Sequence, residues 1–326
     1  MSVSPLRVGV AGVGSLGFHH ARLYSSMPEV TLSGVYDARA GRAAQVAAQL
    51  GTTAYPSLEA LLAEAEAVSV VVPTPAHHAV GLAAVRAGRH VLVEKPLAAT
   101  IAEAEELVAA ADRAGVVLQT GHVERFNRAV RAAAPYLASP RFIESDRIAP
   151  FGVRGSDVAV ILDLMIHDLD LILALAREPV VDVRASGIGV ITPHVDIATA
   201  RIEFASGAVA NLTASRLARE RLRKLRIFQA NGYFSLDLAA GTGEFLRLRP
   251  DAAAALANDA VPDLATVVER VPLEAPDGEP LALELRNFTR AVRGAEPVVV
   301  SGRDGLEALR LAFRVIGAMG PAAVPA

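Results

Sequence analysis

The 326-residue sequence contains no cysteine, which excludes disulfide bonds, thiolate catalysis and any metal site with thiolate ligands. Its eight histidines show none of the close spacings typical of zinc sites, so we expect no metal. The net charge of −3 gives no reason to expect nucleic-acid binding. We find no signal-peptide pattern, and the apolar stretches are too interrupted to span a bilayer. We therefore expect a cytoplasmic protein without membrane insertion.

Lysine is also scarce: Lys95 and Lys224 are the only lysines among the 32 lysine and arginine residues. Arginine serves equally well as a solvated charge. A lysine retained in such an arginine-rich sequence therefore suggests a compact amine that contacts a reacting oxygen. The alternative for Lys95 is an ordinary surface lysine at a turn.

The order of predicted elements changes near residue 123. Up to that point short apolar β-rich runs alternate with helical segments, which indicates βαβ units and a parallel sheet. Beyond it, strand-like alternation dominates, and Asn231-Gly232 signals a hairpin. We expect an α/β protein: a doubly wound parallel sheet in residues 1–122, then an α+β substrate-binding and oligomerisation domain in residues 123–326 with a large, mostly antiparallel sheet.

A glycine-rich turn follows the first strand and opens the first helix. Three glycines have G-x-G-x-x-G spacing: Gly12, Gly14 and Gly17. Asp37 ends the next strand, where its carboxylate could accept hydrogen bonds from a ribose diol. This combination predicts a Rossmann dinucleotide site for NAD, because Asp37 would repel a 2′-phosphate. Arg39 and Arg42 could accommodate that phosphate, which leaves NADP possible.

Two strands end in unusual residues at the same predicted edge of the sheet. Lys95 follows the strand HVLVE, and the preceding strand runs into Pro73, Thr74 and His77. Ligands bind at the carboxyl ends of parallel strands, so we expect these residues near the nicotinamide end of the cofactor. His77 could equally be a helix-start residue without such a role.

The segment DVAVILDLMIHDLDLILALA predicts one long helix. At 100° per residue, Asp163, His167 and Asp170 share its polar side, and Asp163 lies one turn before His167. An aspartate beside a histidine suits a general base. Asp168 points about 100° away from His167. The alternative is the solvent face of an ordinary amphipathic helix.

The runs GVGSLG, VPTPAHH and GRHVLVEKPLAAT resemble the Gfo/Idh/MocA family of NAD(P)-dependent oxidoreductases, in which Glu94-Lys95-Pro96 matches the most recognisable tripeptide. The resemblance implies that Lys95 lies beside the reacting carbon, that Glu94 belongs to the cofactor site and that a cis bond precedes Pro96. It extends into GHVERFN, which makes Arg125 a candidate substrate residue.

Asp163 and His167 match the D-x-x-x-H pattern that the same resemblance predicts on a helix after the nucleotide domain. We expect His167 and Lys95 to act on one substrate hydroxyl during hydride transfer, and either could be the formal base. Asp163 would orient His167 or bind a neighbouring hydroxyl.

The densest basic run, Arg216–Arg226, could bind the diphosphate of an anionic substrate through Arg223 and Lys224, or it could be a solvated loop and charged edge strand. With GHVERFNRAV and DLMIHDLDLIL, this run is most similar to the UDP-N-acetylglucosamine 3-dehydrogenase subgroup, which implies a sugar-nucleotide substrate and a lipid A route. The alternatives are a dehydrogenase of a free sugar or polyol such as myo-inositol, or a non-catalytic NAD-binding regulator. We expect a homo-dimer or homo-tetramer.

Overall fold

The computed structural model describes residues 4–152, 155, 157–250, 252 and 264–320. The chain divides into two compact units. The first comprises Met1–Val123 with Gly278–Arg310, and the second comprises Glu124–Asp277 with Leu311–Ala326.

The first unit contains a parallel sheet of five strands in the order β2-β1-β3-β4-β5. The strands are β1 Leu6–Ala11, β2 Val30–Tyr36, β3 Ala67–Val70, β4 His90–Glu94 and β5 Leu118–Gly121. Every pairing is parallel, and β3 is buried at each residue, as expected when helices cover both faces. The strand order reverses between β1 and β3, and a ligand crevice is expected at the carboxyl ends of these strands.

The α-helices of the described residues include some with recognisable capping signals and some without. They are α1 Ser15–Ser26, α2 Ala40–Leu50, α3 Leu58–Glu64, α4 His77–Arg86, α5 Ile101–Ala114, α6 Arg128–Ala133, α7 Ile166–Ala176, α8 Leu264–Val267, α9 Pro280–Val292 and α10 Gly302–Ala318. Thr100 and Glu103 form a capping box at the start of α5, and Gly115 ends it with a φ of 64°. None of the helices in the described residues has the length and apolar character needed to cross a bilayer.

The second unit contains a sheet of eight strands in the order β13-β12-β11-β10-β6-β9-β8-β7. The strands are β6 Phe142–Pro150, β7 Val180–Ile188, β8 Ile197–Phe204, β9 Val209–Ala218, β10 Leu222–Gln229, β11 Gly232–Asp237, β12 Thr242–Leu248 and β13 Val268–Pro272. Among the strand pairs of this sheet in the described residues, only β6 and β9 are parallel. The expected fold class, a doubly wound parallel sheet followed by a large, mostly antiparallel sheet, is confirmed.

The hairpin expected at Asn231-Gly232 is present, with its turn one residue earlier than the dipeptide suggests. Ala230 and Asn231 form the turn, and Gly232 is the first residue of β11, paired with Gln229. A Cβ on Gly232 would collide with the carbonyl oxygen of Leu246 on β12, so this glycine is needed for strand packing as well as for the turn.

The single long helix expected over residues 157–176 is interrupted. A π-helical turn, Ile161–Met165, precedes α7, and the amide of Ile166 donates to the carbonyl of Ile161, five residues earlier. A π-turn holds more residues than an α-turn, so it changes the direction of every side chain that precedes it relative to those that follow. The 100° periodicity assumed from the sequence is therefore wrong across this junction.

The domain boundary expected after residue 122 remains a prediction. In the structure a segment near the C-terminus also belongs to the first unit. Gly278–Arg310 groups with the first unit. The reason is the apolar side of α9, where Leu285 and Phe288 are fully buried in the same core as Leu6 and Val8 of β1.

Candidate functional site

The glycine-rich turn joins β1 to α1 and leaves space beside its backbone. Gly12 has a φ of 85°, and a Cβ there would lie 2.5 Å from the carbonyl oxygen of Val71. A Cβ on Gly17 would collide with the carbonyl oxygen of Gly12. A Cβ on Gly14, in contrast, would meet no described atom within 4 Å. The fold itself requires Gly12 and Gly17, whereas Gly14 leaves room for a pyrophosphate to approach the helix N-terminus.

Asp37 follows β2 and its carboxylate lies against this turn. One oxygen accepts a hydrogen bond from the amide of Val13 at 2.9 Å, and the other accepts one from the amide of Arg39 at 2.9 Å. Arg42 donates to the carbonyl oxygens of Val13 at 2.7 Å and Gly14 at 3.2 Å, so it braces the turn. The side chain of Arg39 is 74% exposed and remains the arginine available to a 2′-phosphate. These residues fit a dinucleotide with a ribose diol at Asp37.

At the carboxyl end of β3, Pro73 is exposed, Thr74 is half-buried and His77 is buried. The Nδ1 of His77 lies 2.7 Å from the carbonyl oxygen of Pro96, and its Nε2 lies 2.9 Å from that of Val72. Burial lowers the pKa of His77, although both carbonyls favour the charged ring. Both ring nitrogens therefore contact backbone, and the cofactor role expected for His77 remains a prediction.

At the end of β4, the Lys95-Pro96 peptide bond is cis, as the resemblance implied. Glu94 is 8% exposed, and its carboxylate lies 3.0 Å from Nε2 of His20 and accepts the amide of Lys95 at 3.3 Å. Burial acts to raise the pKa of Glu94, but the hydrogen bond and charge of His20 and the charge of Lys95 outweigh it and hold that pKa below its ordinary value. The backbone that carries Lys95 is thus anchored to an ionised carboxylate.

In the second unit, Asp163 lies in the π-turn and His167 is the second residue of α7. The carboxylate of Asp163 packs against Gly155, which has a φ of 77° and could not carry a Cβ without a collision. His167 is partly buried. The contact between Asp163 and His167 remains a prediction.

Asp168, the residue after His167, is buried against an arginine. Asp168 accepts from Nε and Nη2 of Arg147 at 2.7 and 3.0 Å, and Arg147 also donates to Glu124 at 2.8 Å. Burial acts to lower the pKa of Arg147, but Asp168 and Glu124 outweigh it and raise that pKa. This buried triad fixes the start of α7 to β6 and to the turn before α6.

Asp170 and Arg125 form a second buried pair. Both oxygens of Asp170, which is 1% exposed, accept from the guanidinium of Arg125 at 2.6 and 2.8 Å. Asp170 was predicted to share the polar side of the helix with Asp163 and His167, and the alternative was a solvent face. The solvent face is wrong for Asp170, because Arg125, 45 residues earlier, supplies its buried counter-ion. Arg125 has both donors of one edge committed to Asp170, so its predicted role with substrate would have to use the remaining N–H groups.

The basic run spans the end of β9, an exposed turn at residues 219–221 and the first part of β10, where Arg223 and Lys224 point to opposite faces of the sheet. Arg223 shares its face with the buried Leu225 and lies 3.4 Å from Glu124, whereas Lys224 is exposed on the other face. A ligand that lies on one face of this sheet would therefore meet only one of the two side chains, and the substrate role expected for both remains a prediction. Of the alternative reading, the solvated loop is present, because residues 219–221 are exposed between β9 and β10. The edge strand is wrong, because β10 lies between β6 and β11.

Sequence reasoning missed His20, Glu124 and Arg147. One signal was available, because Arg147 stands in β6 at the same strand parity as the buried Ile143. An arginine on the core-facing side of an alternating strand indicates a buried ion pair. Within the described residues, no group of three or more His, Asp or Glu side chains could hold a metal ion.

Matches to known proteins indicate the family to which the chain belongs. Residues 6–122 match a profile described as "Oxidoreductase family, NAD-binding Rossmann fold", and residues 144–235 match one described as "GFO/IDH/MocA C-terminal domain". The chain is 40% identical to a UDP-N-acetylglucosamine 3-dehydrogenase from Acidithiobacillus ferrooxidans, over 95% of this chain and 96% of that protein. It is 27% identical to a myo-inositol 2-dehydrogenase from Thermotoga maritima, over 94% of each.

A solved structure of the UDP-N-acetylglucosamine 3-dehydrogenase GnnA from Acidithiobacillus ferrooxidans superimposes with a TM-score of 0.88 at 39% identity, covering 98% of this chain and 100% of that one. The sequence match and the structural match to this relative therefore both cover nearly the whole chain. The chain belongs to the Gfo/Idh/MocA family of oxidoreductases, and its residues 6–122 carry that family's NAD-binding Rossmann fold.

Proposed function

We propose that the protein is an NAD-dependent dehydrogenase that oxidises the 3-hydroxyl of UDP-N-acetylglucosamine to a 3-keto sugar nucleotide. The observation that carries this proposal is the 40% identity, over 95% of the chain, to a relative named for that activity. The glycine-rich turn and Asp37 support the cofactor. In this proposal residues 1–122 bind the dinucleotide and residues 123–326 bind the sugar nucleotide.

The proposed chemistry assigns roles to Lys95, His167, Asp163 and Arg223. Bound NAD would accept a hydride from the substrate carbon. As the C–H and O–H bonds break and the carbonyl forms, the imidazole of His167 would take the hydroxyl proton and the ammonium of Lys95 would stabilise the developing alkoxide. Asp163 would orient His167 or bind the neighbouring hydroxyl. Arg223, on the inner face of β10, is the arginine we propose for the substrate's diphosphate.

The experiment is a measurement of NADH formation with NAD and a panel of UDP-N-acetylglucosamine, UDP-glucose, glucose and myo-inositol. A carbonyl trap or coupled aminotransferase should be present, because the oxidation equilibrium can be unfavourable. Turnover with UDP-N-acetylglucosamine alone supports the proposal. Turnover with myo-inositol instead would favour the second candidate, a polyol dehydrogenase, which the similarity to the Thermotoga maritima relative makes worth testing. NAD binding without turnover would favour a non-catalytic regulator.

Lys95→Ala tests the assigned chemistry. NAD affinity should change little, while turnover should fall about 100- to 1,000-fold because a donor to the developing oxyanion is lost. Lys95→Arg should lower turnover to a similar extent, since a guanidinium keeps the charge but cannot replace a compact amine. Unchanged turnover in either variant would remove Lys95 from the mechanism.

We also propose a cytoplasmic homo-oligomer that acts on a route to lipid A. The keto product suits transamination to a diamino sugar. The outer face of the eight-stranded sheet supports assembly, because Phe228 and Tyr233 stack there with ring centroids 5.2 Å apart beside a groove that also includes Lys224 and Arg226. Light scattering of the purified protein, and of a Phe228→Glu variant, tests whether this face joins copies of the chain.

A further inference from the structure

Two buried histidines outside the proposed chemistry contact the residues on either side of Lys95, His20 the carboxylate of Glu94 and His77 the backbone carbonyl of Pro96. His20 on α1 is 0% exposed, and His77 at the start of α4 is 2% exposed. Burial of an imidazole costs free energy unless its nitrogens make hydrogen bonds, so the contacts of these two rings show what they hold in place.

His77 joins the ends of two strands. Its Nδ1 lies 2.7 Å from the carbonyl oxygen of Pro96, after β4, and its Nε2 lies 2.9 Å from the carbonyl oxygen of Val72, after β3. A carbonyl oxygen only accepts, so a ring nitrogen bonded to it must carry hydrogen. The charged groups that face His77 are Glu94, which favours the imidazolium, and Lys95, which opposes it. Only the imidazolium donates to both carbonyls at once. In the neutral ring, which has one N–H, we place that hydrogen on Nδ1, at the shorter of the two distances.

His20 acts on the other side of Lys95 through Glu94. The Nε2 of His20 is 3.0 Å from one carboxylate oxygen of Glu94, and the second oxygen accepts the amide of Lys95 at 3.3 Å. An ionised carboxylate only accepts, so Nε2 of His20 is the donor in this bond. The Nδ1 of His20 has no hydrogen-bond partner among the described residues. Gly121 on the neighbouring strand leaves room for this carboxylate, since a Cβ there would lie 2.9 Å from it.

We propose that His20 and His77 are positioning residues that hold the main chain on both sides of Lys95, His20 through the Glu94 carboxylate and His77 through the carbonyl of Pro96. This proposal rests on the proposed role of Lys95. A lysine side chain has four rotatable bonds, so its ammonium can be placed reproducibly only if the backbone from which it extends is rigid. A misplacement of about 1 Å at a reacting group can cost about 100-fold in rate.

The two histidines use different ring nitrogens, and this difference makes the proposal testable. The side-chain amide of asparagine places its N–H₂ near the position of histidine Nδ1, whereas that of glutamine places it near Nε2. His77→Asn should therefore keep the bond to Pro96 and His77→Gln should lose it. The order reverses at the other site, where His20→Gln should keep the bond to Glu94 and His20→Asn should lose it.

The first readout follows Lys95 itself and needs no sugar substrate. Lys224→Arg leaves Lys95 as the only lysine side chain, so reductive ¹³C-methylation gives one lysine resonance in an NMR spectrum. In this background, His77→Gln and His20→Asn should shift or broaden that resonance. His77→Asn and His20→Gln should leave it close to that of the parent. His78→Gln is the matched control, because His78 is the adjacent residue and pairs with Glu106 at 3.0 Å.

The second readout is kinetic, in the otherwise unaltered protein. His77→Gln and His20→Asn should lower kcat about 10- to 100-fold with little change in the KM for NAD, and His78→Gln should not change kcat. Equal kcat values and equal Lys95 resonances for asparagine and glutamine at both positions would overturn the proposal. If the variants at one position do not fold, the pair at the other position gives the same test. If Lys95→Ala retains full turnover, the proposed chemistry fails, whereas the resonance still reports whether the histidines hold the backbone.

Discussion

Replacing Arg147 with methionine tests how the buried charges of the second unit are held. Arg147 is 2% exposed and donates to Asp168 at 2.7 and 3.0 Å and to Glu124 at 2.8 Å. Methionine keeps most of the aliphatic stem and removes the charge. The variant would leave two carboxylates, both nearly inaccessible to water, without their shared counter-ion.

Removing one partner of a buried ion pair costs about 3–5 kcal/mol, because the remaining charge stays desolvated. Here two carboxylates lose a partner, but Glu124 keeps the amide of Asn127 at 3.0 Å and has Arg223 at 3.4 Å. Asp168 bears most of the loss. We therefore expect the free energy of unfolding to fall by about 3–5 kcal/mol, and not by twice that amount.

Urea unfolding followed by circular dichroism measures this loss, and a double-mutant cycle identifies its source. Asp168→Asn added to Arg147→Met removes the orphaned charge, so the double variant should be about 0.5–3 kcal/mol more stable than the sum of the single losses predicts. Arg184→Met is the matched control. Arg184 pairs with Asp182 at 3.0 Å but is 79% exposed, and its loss should stay within about 1 kcal/mol. A loss of less than about 1 kcal/mol for Arg147→Met, or strict additivity in the cycle, would refute the reasoning.

Three further predictions concern single residues. Gly14→Ala should unfold like the wild type in urea but bind NAD at least about tenfold more weakly by calorimetry, because its Cβ meets no described atom and enters the space proposed for the pyrophosphate. Asp37→Ser should reduce the ratio of kcat/KM for NAD over NADP about tenfold or more, since the repelling carboxylate is lost; an unchanged ratio would place the ribose elsewhere. Burial acts to raise the pKa of Asp196, but the amides of Thr192, Val190 and Ile191 lower it from 3.8 to about 2. Its stabilisation, about 2 kcal/mol, should be complete above pH 3.8 and lost as the pH falls through about 2, so the urea stability of Asp196→Asn should approach that of the wild type over this range.

Local patterns in the sequence were sufficient wherever one segment carried the whole signal. The glycine spacing, the strand before it and Asp37 at the end of the next strand predicted the turn at α1 without knowledge of the fold. The capping box at Thr100 and Glu103 marks the start of α5 in the same way. These features depend on neighbouring backbone, so their physical cause lies within a few residues of the motif.

The partners of buried charges could not be predicted in this way. Asp168 and Asp170 were read as polar residues of a helix, yet their counter-ions come from residues 21 and 45 positions earlier. The π-turn before α7 also had no signal in the residue pattern that we used. Ile161 and Met165, the first and last residues of that turn, are fully buried, and periodicity does not reveal how they pack.

The sequence by itself determined the two sheets, the dinucleotide turn and the position of Lys95 at a strand end, because hydrophobic periodicity and backbone requirements act over short distances. Only the tertiary structure decided that His20 would reach Glu94 across 74 residues and that Arg223 and Lys224 would face opposite sides of one sheet. A side chain's partner depends on which strands become neighbours and on which face each residue occupies, and both are set when the sheets assemble.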